Sequence, residues 1–323
     1  MKVAIIGGHG FLGQRLAKRL LQKGEAVGPD GALQPIDELI LIDQVAPEAP
    51  LEGVTTIIGD VAEPGFFDRA LGDDVTSVFH LAAIVSSAAE ADFDLGMRVN
   101  LDATRALLER CRAMPIAPRL VFTSSVAVFG NAPPMIEDDT PALPLSSYGT
   151  QKVIGEYLVN DYSRKGYLDG RCLRLPTVVI RPGKPNRAAS SFASSILREP
   201  LQGEMAICPV DTGLSLWIQS PRVVVENLIH AHDLATDAWS DGARILNLPG
   251  LTVTVAEMIE ALARASGDTS LIRHEPDAEI ARIVGSWPGA MNTPRATRLG
   301  FSKDETIDAI VAAFRQEELG GAR

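Results

Sequence analysis

The chain has 323 residues, 46% of them hydrophobic, enough for one large α/β domain or two smaller ones around a substantial core. Thirty basic against 41 acidic residues give a net charge of −11, which argues against a general nucleic-acid or membrane-surface binder but leaves room for an anion held by local donors. Cys111, Cys172 and Cys208 are far apart, odd in number and outside any C-x-x-C spacing, so small buried thiols in a reducing cytoplasm are expected rather than disulfides or a zinc site.

No signal peptide is expected ahead of the first strand, and no apolar run approaches the roughly 20 residues that span a bilayer. Val3 to Ile6 is a continuous apolar run, as in a strand buried on both faces. Gly7-Gly8-His9-Gly10-Phe11-Leu12-Gly13 follows at once. Leu12, Leu16 and Leu20 then recur at helical spacing up to Gly24, a helix stop. Glycines between a strand and a helix point to a dinucleotide. In this G-x-x-G-x-x-G spacing, Gly7 suits the tight turn, Gly10 lets backbone approach a pyrophosphate, and Gly13 lets the helix lie close to the strand. The helix N-terminus offers N–H groups and partial positive charge to the phosphates.

Leu39 to Ile42 reads as the second strand and ends in Asp43. An acidic residue there either accepts hydrogen bonds from the adenosine ribose, favouring NAD over NADP, or simply forms a strand-end turn. The stretch Gly28 to Pro35 reads as a loop insertion before it. Thr55 to Ile58 is a third strand, ending at Gly59-Asp60-Val61. Ser77 to Leu81 is a fourth, ending at Ala82-Ala83, small residues that let backbone approach a cofactor; His80 reads as core. Helical spacing runs from Asp92 to Met114, with Phe93, Met97, Leu101, Leu108 and Cys111 toward the core. Asn100 on that helix either bonds buried backbone or water near the site, or is exposed and inert.

Arg119 to Thr123 is a fifth strand, with Ser124-Ser125 at its C-terminal end, where ligands bind in open α/β sheets. Tyr148 and Lys152, four apart on the next helix, share one face. An ammonium lowers the phenol's pKa from about 10, so that the tyrosine can take a proton from an alcohol near neutral pH. The spacing alone fits a surface pair equally well; the glycine loop and the serine pair supply the chemical context. Arg171 to Leu175 is a sixth strand, stopped by Pro176. The alternation predicts a Rossmann-type doubly wound parallel sheet.

Beyond Pro176 the pattern loosens into a basic loop from Ile180 to Arg187 and a short helix from Ser190 to Arg198. A longer helix is opened by Ser220 and Pro221, and capping boxes are expected at Thr254/Glu257 and Ser302/Glu305. This part reads as a smaller lid. His230 and His232, two apart on a helix, point apart and predict no metal site.

Taken together, these pieces resemble the extended short-chain dehydrogenase/reductases, relatives of the nucleotide-sugar epimerases and dehydratases. The matching set is Gly7-x-x-Gly10-x-x-Gly13, Asp43, Asp60-Val61, His80-Leu81-Ala82-Ala83, Ser124-Ser125-Val126-Ala127-Val128-Phe129-Gly130, Tyr148-x-x-x-Lys152 and Leu175-Pro176-Thr177. The resemblance implies catalysis by Ser125, Tyr148 and Lys152. It implies NAD binding by Gly7, Gly10, Phe11, Leu12, Gly13, Asp43, Asp60, Val61, Leu81, Ala82, Ala83, Asn100, Thr123, Tyr148, Lys152, Pro176, Thr177 and Val178. It divides the chain into an NAD-binding domain over 1–175, joined by part of 216–250, and a mainly substrate-binding domain over 176–323. It also implies a homodimer through helices 92–114 and 148–165.

Two departures narrow the reaction. Sugar dehydratases of the family carry an acidic pair where this chain has Val126 and Ala127. The acidic segment usual in nucleotide-sugar enzymes is replaced by Leu216 to Arg222. The wording around Tyr148, Asn160 to Arg164, and Leu175 to Ser194 looks like the D-erythronate dehydrogenases of that family, which act on a four-carbon sugar acid. The resemblance then implies oxidation of a C2 hydroxyl, with Ser125, Tyr148 and Arg181 on the substrate. Arg181, Lys184 and Arg187 are the cations placed to meet its carboxylate, or else form a solvated loop. The alternatives are an epimerase with tightly bound NAD and a non-catalytic dinucleotide sensor.

Overall fold

The computed structural model describes residues 1–47, 49–131, 133–183, 188–239 and 243–320. Among these, seven strands form one all-parallel sheet. Its order is Ile245–Asn247, Asp169–Leu175, Arg119–Ser125, Val75–His80, Lys2–Ile6, Glu38–Asp43, Val54–Ile58. This is the doubly wound sheet predicted from the alternation.

Side chains along the first strand alternate between two cores. Val3 and Ile5 pack with Leu16 and Leu20 of helix Phe11–Lys23 and with Leu228 of helix Pro221–Asp233. Ala4 and Ile6 pack on the other face with Phe66, Leu107, Leu108, Cys111 and Val159. Each fully buried Leu or Ile contributes about 1.5–3 kcal/mol, so the central strands are fixed from both sides. From Lys2–Ile6 the chain passes to Glu38–Asp43 on one side and returns to Val75–His80 on the other. The order reverses between those neighbours, which opens a crevice at their carboxyl ends.

The remaining described residues build a separate core from Ile196, Leu197, Met258, Leu262, Ile310 and Phe314. It is backed by a sheet of Thr177–Val178, Ser215–Gln219 and Leu251–Thr254. Helix Pro221–Asp233 and strand Ile245–Asn247 return from it to the large sheet.

Several expectations need correction. The stretch Gly28 to Pro35 belongs to a hairpin, with strands Glu25–Val27 and Leu33–Pro35 paired antiparallel. Helix 92–114 is interrupted: Phe93–Gly96 passes through a π-turn at Met97–Asp102 before Ala103–Ala113. Phe93 is 57% exposed rather than in the core. The capping box at Thr254 and Glu257 forms, with bonds of 3.1 and 2.6 Å. The one at Ser302 and Glu305 does not. Ser302 is held instead by Asn227, which accepts from its N–H at 3.0 Å and donates to its carbonyl at 2.8 Å. The last helix starts at Ile307 with Thr306 as its cap.

Candidate active site

The opening turn presents backbone, not side chains, to the crevice. A Cβ on Gly13 would stand 2.2 Å from the Gly7 carbonyl oxygen, so only glycine lets the helix start against the strand. Gly10 caps that helix without a side-chain bond, and the N–H groups of Phe11, Leu12 and Gly13 have no partner within it. Their alignment suits a diphosphate. Beyond them lies a cavity of about 300 Å³ lined by Gly7, Gly10, Asp43, Asp60, Val61, Leu81, Ala82 and Ala83. These residues fit a dinucleotide: a glycine cradle, an acidic group at the second strand end and an apolar wall. Asp43 already accepts the N–H groups of His9 at 3.0 Å and Val45 at 3.3 Å, which orients its carboxylate and leaves lone pairs for ribose hydroxyls.

Asn100 is buried and bonds both backbone groups of Ile84, at 2.8 and 3.0 Å, and Gln151 at 2.7 Å. It therefore shapes the chain just after Ala83. His80 lies in the core against Thr104, its pKa pushed down to about 3 by burial.

Ser125 ends its strand, and its hydroxyl accepts the Ala127 N–H at 3.1 Å. Tyr148 is the second residue of helix Ser147–Arg164, capped by Ser146. A Cβ on Gly149 would lie 2.1 Å from the Ala127 carbonyl oxygen. That close approach presses the helix start onto the turn after Ser125 and brings phenol and serine together. Lys152, one turn on, donates to the Thr123 carbonyl at 2.8 Å, and its nitrogen stands 5.7 Å from the Tyr148 ring centre.

The electrostatics differ from the expectation of an acidified phenol. Burial pushes the Tyr148 pKa up to about 12, against the opposing pull of Arg181 and of a hydrogen bond with Ser125. Burial likewise lowers Lys152 to about 8, with Glu156 acting to raise it. The cation that acts on the phenol is thus Arg181. Its guanidinium stands 5.5 Å from the Phe11 ring centre and donates to the Val178 carbonyl at 3.3 Å. Its backbone is held by Ser194 at 3.0 Å and Arg198 at 2.6 Å.

Ser125, Tyr148, Pro176, Thr177 and Arg181 share a cavity of about 50 Å³ with Ser86, Ser190 and Trp287. Lys184 and Arg187 lie outside the described residues. Sequence reasoning missed Trp287, which sits in a Ser-Trp-Pro-Gly turn far along the chain. It also missed Glu156 and Arg174, whose ion pair at 2.8 Å lies beneath Lys152. Their signal was there: Tyr148, Lys152 and Glu156 are each four apart, and Arg174 is a charge inside a buried strand. Among the described residues no group of His, Cys, Asp and Glu could hold a metal ion, and no helix is long and apolar enough to cross a membrane.

The chain is 51% identical over 321 residues to D-erythronate dehydrogenase of Cupriavidus necator, covering 98% of each. It is 46% identical to D-erythronate dehydrogenase of Haemophilus influenzae, covering 99% of this chain and 100% of that one. A crystal structure described as the nucleoside-diphosphate-sugar epimerase from Agrobacterium tumefaciens superposes with a TM-score of 0.91 at 43% identity, covering 100% of this chain and 95% of its own. The model of the NAD dependent epimerase/dehydratase family matches residues 3–248, which span the glycine turn, the serine strand end and the Tyr148 helix, and the chain belongs to that family.

Proposed function

We propose that this protein oxidises the C2 hydroxyl of a small sugar acid, D-erythronate, to the 2-oxo acid with NAD. The observation that carries the proposal is that Ser125, Tyr148 and Arg181 meet on one small cavity at the edge of the dinucleotide crevice. The names of the two dehydrogenases at 51% and 46% identity support it.

In this reading Ser125 holds the oxygen that becomes the carbonyl. Tyr148 takes the proton from it, and Arg181 meets the substrate carboxylate. Lys152 holds the cofactor ribose and, with Arg181, stabilises the phenolate. NAD, when bound, supplies the acceptor for the hydride leaving C2 and a positive ring beside the phenol. Gly7, Gly10, Phe11, Leu12 and Gly13 carry the diphosphate, Asp43 the adenosine ribose, and Asp60 and Val61 the adenine. Leu81, Ala82, Ala83, Asn100 and Thr123 line or shape the path to the nicotinamide, which Pro176, Thr177 and Val178 flank. Asp43 selects NAD because a carboxylate repels a 2′-phosphate. Residues 1–175 with part of 216–250 serve the cofactor, and 176–323 mainly the substrate.

Two copies would pair through the helices bearing Phe93 and Tyr157, exposed by 57% and 59%. Three buried free thiols suit a reducing cytoplasm.

The Agrobacterium structure's description favours a second reading, a nucleotide-sugar epimerase without net redox change. The segment Leu216 to Arg222, which lacks the acidic residues usual in nucleotide-sugar enzymes, weighs against it. The test follows NADH absorbance with sugar acids and nucleotide sugars, first with NAD and then with NADP. NADH formation with D-erythronate and NAD is expected. Epimerised sugar nucleotide with no NADH from any acid would overturn the proposal.

A further inference from the structure

Trp287 lines the cavity that holds Ser125, Tyr148 and Arg181, yet it comes from the far end of the chain. Its indole N–H is buried and finds no acceptor among the described residues. The chain's other two tryptophans lie elsewhere. Trp217 donates to the Leu248 carbonyl at 3.1 Å; the Trp239 indole N–H also finds no acceptor, but that ring is fully buried in the main core beneath Arg171, away from this cavity. A buried donor left unpaired is costly, and where it belongs to a residue that lines a cavity an incoming ligand can supply the acceptor.

The backbone that carries the ring is seated from both sides. Helix Ala278–Gly285 precedes it, and the backbone N–H of Trp287 donates to the Val284 carbonyl at 3.1 Å. On the other side, a Cβ on Gly289 would stand 2.6 Å from the Ser215 side chain, so this turn is seated tightly on strand Ser215–Gln219. Two residues on, Met291 bridges to Ile136 in the loop after Ser125, with the Ile136 N–H bonding Ala290 at 3.1 Å and the Asn292 N–H bonding Ile136 at 2.8 Å. The ring packs at once on the lid core and on the cluster of Val126, Val128, Phe129 and Val153 beside the catalytic serine. The donor is thus carried on a backbone held from the lid and from the loop after Ser125. Such preorganisation is what substrate recognition requires.

We propose that Trp287 determines substrate specificity, its indole N–H donating to an oxygen of the bound acid other than the one held by Ser125 and Tyr148. The proposal rests on the sugar-acid reading above. An acid carrying several oxygens supplies such an acceptor, whereas an apolar chain end would leave the donor buried and unpaired.

The test uses the full chain and Trp287→Phe, which keeps an aromatic ring and removes the indole N–H together with the pyrrole half of the ring. Parent and variant are compared by thermal melting, NADH affinity and steady-state kinetics with D-erythronate. KM should rise tenfold or more, the weight of one hydrogen bond to a charged or strongly polar oxygen, with NADH affinity unchanged and the variant still melting cooperatively above the assay temperature. The indole ¹H–¹⁵N resonance missing from Trp287→Phe should move in the parent when D-erythronate joins the NADH complex. An unchanged KM in a folded variant, or an indole resonance that ignores the acid, would overturn the role of Trp287 and leave the sugar-acid reading intact. A parent that turns over no sugar acid would overturn that reading first.

Discussion

Glu156 grips Arg174 with both carboxylate oxygens, 2.8 Å from Nε and 2.8 Å from Nη2, one helical turn past Lys152. Ser124 adds a third donor at 2.5 Å, and Glu156 is fully buried. Two cations and one anion thus share a buried pocket under the Tyr148 helix. Glu156→Gln would strand both cations. Removing one partner of a buried pair costs about 3–5 kcal/mol, and a loss of that size is expected in urea denaturation. Adding Arg174→Met to the variant should recover most of it. A single variant as stable as the parent would show that the carboxylate compensates nothing.

Lys152 is held charged against its surroundings. The folded lysine titrates at about 8, the unfolded one near 10.5. Below pH 8 both states carry the proton, and keeping it in the fold costs stability. Between those values only the unfolded chain holds it, so the cost fades as pH rises. Lys152→Met should therefore melt higher than the parent at pH 7, by about 2–4 °C for each kcal/mol relieved, while turnover falls by about a hundredfold or more. The gain should shrink at pH 10. Calorimetry showing a lower melting point at pH 7 would contradict this.

Arg181 pulls the Tyr148 phenol toward its ionised form against burial. Arg181→Gln removes that pull and raises the phenol's pKa further, so the base appears only at higher pH. The acid limb of the kcat profile, set by the phenol beside the positive ring of bound NAD, should move to higher pH. A limb that stays in place while kcat falls would limit Arg181 to holding substrate.

Asp43 bonds two backbone N–H groups at the mouth of the crevice. Asp43→Ser removes a negative charge that a 2′-phosphate would meet. The ratio of kcat/KM with NADP to that with NAD should rise about tenfold or more. An unchanged ratio would place the discrimination elsewhere.

What could be read from residues alone was whatever local chemistry dictates. Val3 to Ile6 could only be a buried strand, and Gly13 could only be glycine. Tyr148 and Lys152 were placed by helical spacing. Phe93 was misplaced because an apolar period records that a face is sticky, not what it touches. Ser302 failed as a cap because Asn227, 75 residues away, claims both its backbone groups. Trp287 was invisible for the same reason: its position depends on Ile136 and Ser215, contacts that no local pattern encodes. The phenol's raised pKa came from burial, a property of the folded site and not of the Tyr-Lys spacing.

Strand Ile245–Asn247 seals the outer edge of the large sheet beside Asp169–Leu175. During synthesis, that edge must wait until residue 247 of 323 has cleared the ribosome. Until then the strand Asp169–Leu175 has an open side, and a nascent chain is exposed to mispairing there. Stalling translation between Leu175 and Ile245 should therefore yield a product that depends on chaperones to stay in solution.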